Sequence, residues 1–255
     1  MRSRARALLL ALGLALTLLP ACSAADDADR RPGDPVTATE AQTLARLLHR
    51  NLERGGADFV VTSPYSDAAM LTLTGEIDFR RSIGRAQAVT EFGDERPDDT
   101  RTLFFTTEDI WFGDVPGLAE SLAGAGVPDA TYLRRPVSTG EESPVLVDVL
   151  VEMLLNLSAP EDDDPQSFQG RGYTWQGQRS IDSKLTSLFA LQHGRSVAVG
   201  ASDDLLTQFV TPLPGATFEV TVTLSDHGPR RLAVPAEEET VDAGDHRELA
   251  KALGV

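Results

Sequence analysis

The chain has 255 residues, a formal charge of −16 at pH 7, 6% aromatic residues and one cysteine. An acidic excess of that size leaves no basic footprint for nucleic-acid phosphates and repels an anionic lipid surface. A single thiol excludes an internal disulfide, and the chain beyond residue 36 is long enough for one domain with a sizeable core.

The first segment, MRSRAR, is basic, and the run ALLLALGLALTLL that follows has 13 uncharged residues. That run is too short for a membrane-spanning anchor and has the make-up of a secretory signal. It ends in LLPACS, where Pro20 and Ala21 precede Cys22. The order resembles the lipobox of bacterial lipoproteins. This implies a diacylglyceryl group on the Cys22 sulfur, removal of the signal peptide at residues 1–21, and attachment to the extracytoplasmic face of the cell membrane. Two acyl chains, at about 0.8 kcal/mol per buried methylene, suffice for stable anchoring. Removal of the signal takes away Arg2, Arg4 and Arg6 and no acid, so the charge becomes −19. Residues 22–36, rich in small, charged and proline residues, are expected to form a tether, spanning about 20 Å if flexible.

A single domain is expected over residues 37–255. Thr37 and Glu40 have capping-box spacing, and Leu44, Leu47, Leu48 and Leu52 then share a helix face until Gly55 and Gly56 stop the run. Beyond that the period changes to two. In LTLTGEIDF, residues 71–79, Leu71, Leu73, Ile77 and Phe79 fall on one side and Thr72, Thr74, Glu76 and Asp78 on the other. Similar runs at 86–92, 100–106, 109–113, 130–135, 172–178, 185–192, 196–201, 205–211 and 216–225 predict an antiparallel sheet of about ten strands. A sheet that wide curls or closes.

The segment 143–160 fits a helix throughout, with Asp148, Glu152 and Asn156 as one polar stripe and apolar residues elsewhere. The fold class is therefore α+β, a large curved sheet with helices. Either the helix plugs the concave side as ordinary core, or the two leave apolar space for a ligand. The candidate lining residues for that space are Leu71, Leu73, Ile77 and Phe79 on the strand and Leu146, Leu150, Met153, Leu154 and Leu157 on the helix. At the end of the chain, Asp245 and Glu248 have the spacing of a capping box for a short helix.

Three blocks, LTLTGEIDF, RSIDSKLTSLFAL (179–191) and VTVTLSDHGPRRLAVP (220–235), resemble strands of the LppX/LprAFG family of actinobacterial lipoproteins, relatives of LolA-like lipid carriers. His227, where an aromatic is usual, Ser183, where a glycine turn is usual, and the segment 112–129 depart from that pattern. The resemblance implies a half-barrel with helices on its hollow side. Such a protein would hold the acyl chains of a phospholipid or glycolipid and carry it across the cell envelope, with an envelope transporter as partner.

No nucleophile elbow, zinc-protease motif or phosphate-binding glycine loop occurs, and His49, His193, His227 and His246 lack metal-ligand spacing. No enzyme, metal or cofactor is expected, and PEDDDP at 160–165 reads as a solvated acidic turn. The alternative to a carrier is a tethered protein-interaction module with a filled core and no lipid ligand, for which Trp111 and Phe112 would be the anchors.

Overall fold

A computed structural model describes residues 30–255 except 67, 125, 128–129, 139–144, 171 and 214–217. Cys22, the expected signal peptide and the first part of the expected tether lie outside the described residues. From Arg31 onward the chain is one compact unit.

The opening helix is divided. Thr37 caps α1 (Ala38–Ala45) with the expected box, its hydroxyl accepting from the Glu40 N–H while the Glu40 carboxylate accepts from the Thr37 N–H. The chain turns at Arg46 and continues as α2 (Leu47–Arg54), which stops at Gly55 with a left-handed φ of 97°. Leu44 and Leu47 face the core, and so does Asn51.

The sheet has 12 strands, two more than the periodicity marked. In chain order they are β1 (Gly56–Ser66), β2 (Ala69–Asp78), β3 (Ile83–Phe92), β4 (Asp99–Phe105), β5 (Asp109–Gly113), β6 (Tyr132–Pro136), β7 (Thr174–Ile181), β8 (Lys184–Ala190), β9 (Ser196–Gly200), β10 (Leu206–Pro212), β11 (Glu219–Ser225) and β12 (Thr240–Asp242). Their spatial order is β12-β6-β5-β4-β3-β2-β1-β11-β10-β9-β8-β7. The sheet is open and curved, with β12 and β7 at its edges. It is mixed rather than purely antiparallel, because β12 runs parallel to β6.

β1 and β12 are the strands the sequence reading missed. β1 is central, flanked by β2 and by β11, which is more than 150 residues away in sequence. Its Pro64 reads as a strand breaker, yet it falls where a register shift between Pro64 and Ser66 interrupts regular pairing. β12 is three residues long and carries too little pattern to see.

Inward positions follow from register. Phe59 and Val61 on β1, Leu73 and Ile77 on β2, Leu103 and Phe105 on β4, and Val222 and Leu224 on β11 are all fully buried. Over this face lies α4 (Leu146–Leu155), which buries Leu150, Val151 and Leu154. Burial of those three side chains contributes roughly 1.5–3 kcal/mol each before entropy is counted. The predicted polar stripe of α4 divides: Glu152 and Asn156 are exposed, but Asp148 is only 1% exposed. It is paired with Arg135, which projects inward from β6.

The remaining helices are short. α3 (Leu118–Gly124) lies within the 112–129 segment and buries Leu118 and Leu122. α5 (Arg247–Ala252) begins after His246 without a side-chain cap, so the expected Asp245 box does not form. The Asp245 N–H is spent in a turn on the Asp242 carbonyl instead. At the β7–β8 turn, Asp182 and Ser183 have φ of 47° and 66°, the left-handed pair that a two-residue hairpin turn requires.

Candidate functional site

Helix α4 is tied down at both ends by polar contacts. Near its start, Arg135 Nη1 donates to Asp148 Oδ1 and Oδ2 at 2.8 and 3.1 Å. Just past its end, Asn51 Nδ2 on α2 donates to the Leu157 carbonyl at 2.7 Å. Its middle is pressed into the sheet through Leu150, Val151 and Leu154, all with no measurable exposure. Space is left toward the two ends.

The larger hollow, about 740 Å³, lies by the first turn of α4. Its apolar wall is Leu71, Ala88, Leu103 and Phe112 from the sheet, with Leu146 and Val147 from the helix. Small side chains on β3 help to create it. Inward positions Gly84, Ala86 and Ala88 alternate along that strand. The Phe105 ring occupies the place of a side chain at Gly84, where an added Cβ would sit 2.0 Å from it, whereas Ala88 faces the hollow.

Polar groups also border this hollow, and its cations are already matched. Arg101 lies 2.8 Å from Asp99 Oδ2 through Nη2 and donates from Nη1 to the Gly254 carbonyl at 3.2 Å. Arg135 is held by Asp148 and lies 5.1 Å above the Phe112 ring. A hollow of this size, mostly apolar with a few polar groups at its border, suits a hydrocarbon guest.

The smaller hollow, about 330 Å³, lies at the other end of α4. It is lined by Leu44, Leu47 and Leu48 from α1 and α2, Met153 and Leu157 from the α4 region, and Phe168, Tyr173, Leu191, Val197, Leu206 and Phe209. Asn156, Asp163 and Arg195 supply its polar border. A third depression, on the opposite face of the sheet, is lined by Asp58, Thr74, Glu76, Arg85 and Gln87 among others, a surface on which an alkyl chain would stay wet.

The sequence-predicted lining residues therefore separate by place. Leu71 and Leu146 border the larger hollow, and Met153 and Leu157 the smaller. Leu73, Ile77, Phe79, Leu150 and Leu154 line neither and are buried in close packing. Sequence reading missed Ala88, Leu103, Phe112 and Arg135. The first two carry a usable signal, since alternation along β3 and β4 places them on the inward face. Trp111 and Phe112, the expected anchors of an interaction surface, are 5% and 4% exposed and cannot serve as such. The acidic turn at 160–165 places Asp162 against Arg46 and Asp164 as the cap of a short helical turn. Among the described residues no group of three or more histidines, cysteines and acids is arranged to hold a metal.

His227 lies away from both hollows, beyond the end of β11. Both ring nitrogens are buried and neither has a partner at full hydrogen-bonding geometry, the Leu206 backbone being the nearest polar group that acts on the ring. Burial, reinforced by the charge of Lys184, holds its pKa below the ordinary 6.5. The unfolded chain thus takes up this proton first as pH falls. The stability that the neutral ring contributes is complete above about 6.5 and is lost as pH drops through and below that value. The His227→Phe variant should lose less of its melting temperature between pH 7 and pH 5 than the parent does, as read by calorimetry. An equal loss in both would show that this ring is not responsible.

No family model and no curated protein matches the chain. Among solved structures it is similar to LprF from Mycobacterium bovis, with 15% identity over 80% of this chain and 99% of that one and a TM-score of 0.45. It is also similar to a LolA superfamily protein from Nitrosomonas europaea, with 11% identity over 78% and 96% and a TM-score of 0.28.

Proposed function

We propose that this protein is an envelope lipoprotein, anchored through acylated Cys22, that holds the acyl chains of a phospholipid or glycolipid and carries it across the cell envelope. The observation behind this reading is the hollow of about 740 Å³ between the sheet and the first turn of α4, with its aliphatic and aromatic wall. Removing about 16 methylenes from water is worth on the order of 13 kcal/mol gross at 0.8 each. The same chain is equally well accommodated in a bilayer, so loading and release are near balance and need no chemical energy. Nothing in such a role calls for a catalytic group.

The alternative, a tethered module with a filled core, is served less well, because its expected anchors Trp111 and Phe112 are buried. Native mass spectrometry of residues 31–255 secreted from the natural host distinguishes the two. The carrier reading expects a bound species with the mass of a lipid, released by organic solvent. The bare polypeptide mass in every preparation would contradict it.

A further inference from the structure

We propose that the larger hollow selects lipids whose headgroup carries no net charge, and that Asp99 sets this preference by cancelling the charge of Arg101. The inference deepens the carrier reading and rests on it. Among the described residues that border the hollow, Arg101 and Arg135 are the basic ones and Asp99 is the acidic one. Neither guanidinium is free to meet an anion.

Arg101 is engaged through all three of its nitrogens. Nε donates to Asp99 Oδ1 and Oδ2 at 3.2 and 3.0 Å, Nη2 lies 2.8 Å from Oδ2, and Nη1 donates to the Gly254 carbonyl at 3.2 Å. The two residues stand at i and i+2 on β4, so the period of the strand puts both side chains on the inward face. Arg135 is matched in the same way, giving Nη1 to both Asp148 oxygens and to the Pro136 carbonyl. The segment that joins Ser138 to Val145, both of which border the hollow, adds Glu141 and Glu142 to the sequence and no basic residue.

An anionic headgroup seated at this border meets a carboxylate together with each guanidinium, so attraction and repulsion nearly cancel. It still gives up hydration, beside a wall of Leu71, Ala88, Leu103 and Phe112 that returns nothing for it. A headgroup without net charge escapes that loss. Its hydroxyls can donate to the Asp99 oxygens and pair with Thr90, which stands opposite Asp99 in the β3–β4 register. The Asp99 and Arg101 side chains are 25% and 20% exposed, whereas Asp148 is 1% exposed, so the Asp99 pair is the one that a headgroup half in water reaches. Selectivity then comes from a repulsive element held at the border of an otherwise permissive apolar space.

The test uses residues 22–255 carrying Cys22→Ser, so that the chain stays in water. It is mixed with vesicles that contain equal amounts of monogalactosyl diacylglycerol and phosphatidylglycerol with identical acyl chains, and the lipid taken up is weighed by native mass spectrometry. Because both lipids share one vesicle surface, repulsion of the whole acidic chain affects them equally. The proposal expects the galactolipid to exceed phosphatidylglycerol by at least about tenfold. Asp99→Asn, which releases the Arg101 charge, should bring the ratio to about one or below, and Arg101→Gln, which leaves Asp99 unmatched, should raise it. A purely structural role for the pair would lower uptake of both lipids alike and leave the ratio where it was. Equal uptake by the parent chain, or an unchanged ratio in Asp99→Asn, overturns the proposal. Uptake of neither lipid by the parent contradicts the carrier reading itself and takes this inference with it.

Discussion

Replacing Asp148 with alanine is expected to lower the stability of the fold by about 3–5 kcal/mol, because it leaves the Arg135 guanidinium charged, largely buried and unmatched. The side chains concerned are 1% and 14% exposed, so water does little to compensate. The cost should be recovered in large part by the double replacement Asp148→Leu with Arg135→Met, which removes both charges and leaves shape-filling apolar groups. Urea unfolding of the two variants checks this. A single variant as stable as the parent would show that the pair does not hold α4 to β6. The double replacement also says what the pair is for: if lipid binding is weakened while stability is restored, the ion pair positions the helix over the hollow rather than holding up the fold.

Tryptophan at Leu146 should abolish lipid co-purification while changing stability by no more than about 1 kcal/mol, since the indole has the larger hollow to enter. The same replacement at Leu150 should act in the opposite way. Leu150 has no exposed surface and borders neither hollow, so the extra volume has nowhere to go and about 1–3 kcal/mol is lost. The pair of variants separates occupancy of a ligand space from damage to the core. Loss of lipid at Leu150→Trp with full retention at Leu146→Trp would put the guest elsewhere.

Much of the fold was legible because an amphipathic strand writes its period directly into the sequence. Leu71, Leu73, Ile77 and Phe79 alternate with polar residues, and their inward placement is what the structure has. β1 was not legible. Its outward Val60 breaks the alternation, and Pro64 looks like an end. The capping box at Thr37 was visible since both partners lie within one turn, whereas the box at Asp245 fails because a preceding turn takes its N–H.

The site was legible only in part, for a different reason. Apolar residues on α4 and β2 say which surfaces face each other, but not where contact is lost. That depends on Ala88 being small, on Phe105 filling the place of a side chain at Gly84, and on α4 being held at Asp148 and Leu157. The Arg135 partnership joins β6 to α4, and no local pattern announces it. Asp148 therefore read only as one member of a polar stripe. The pairing of residues 33–36 with β7 is hidden likewise, since it depends on backbone groups far apart in sequence.

The central claim is that hydrocarbon occupies the space beside the first turn of α4. The direct measurement is photo-crosslinking with a phospholipid that carries a diazirine in its acyl chain, followed by peptide mapping. The account predicts adducts on the peptides containing Leu71, Ala88, Leu146 and Val147, and their loss in Leu146→Trp. Adducts confined to the outer face around Thr74 and Gln87, or adducts unchanged by that substitution, would contradict it.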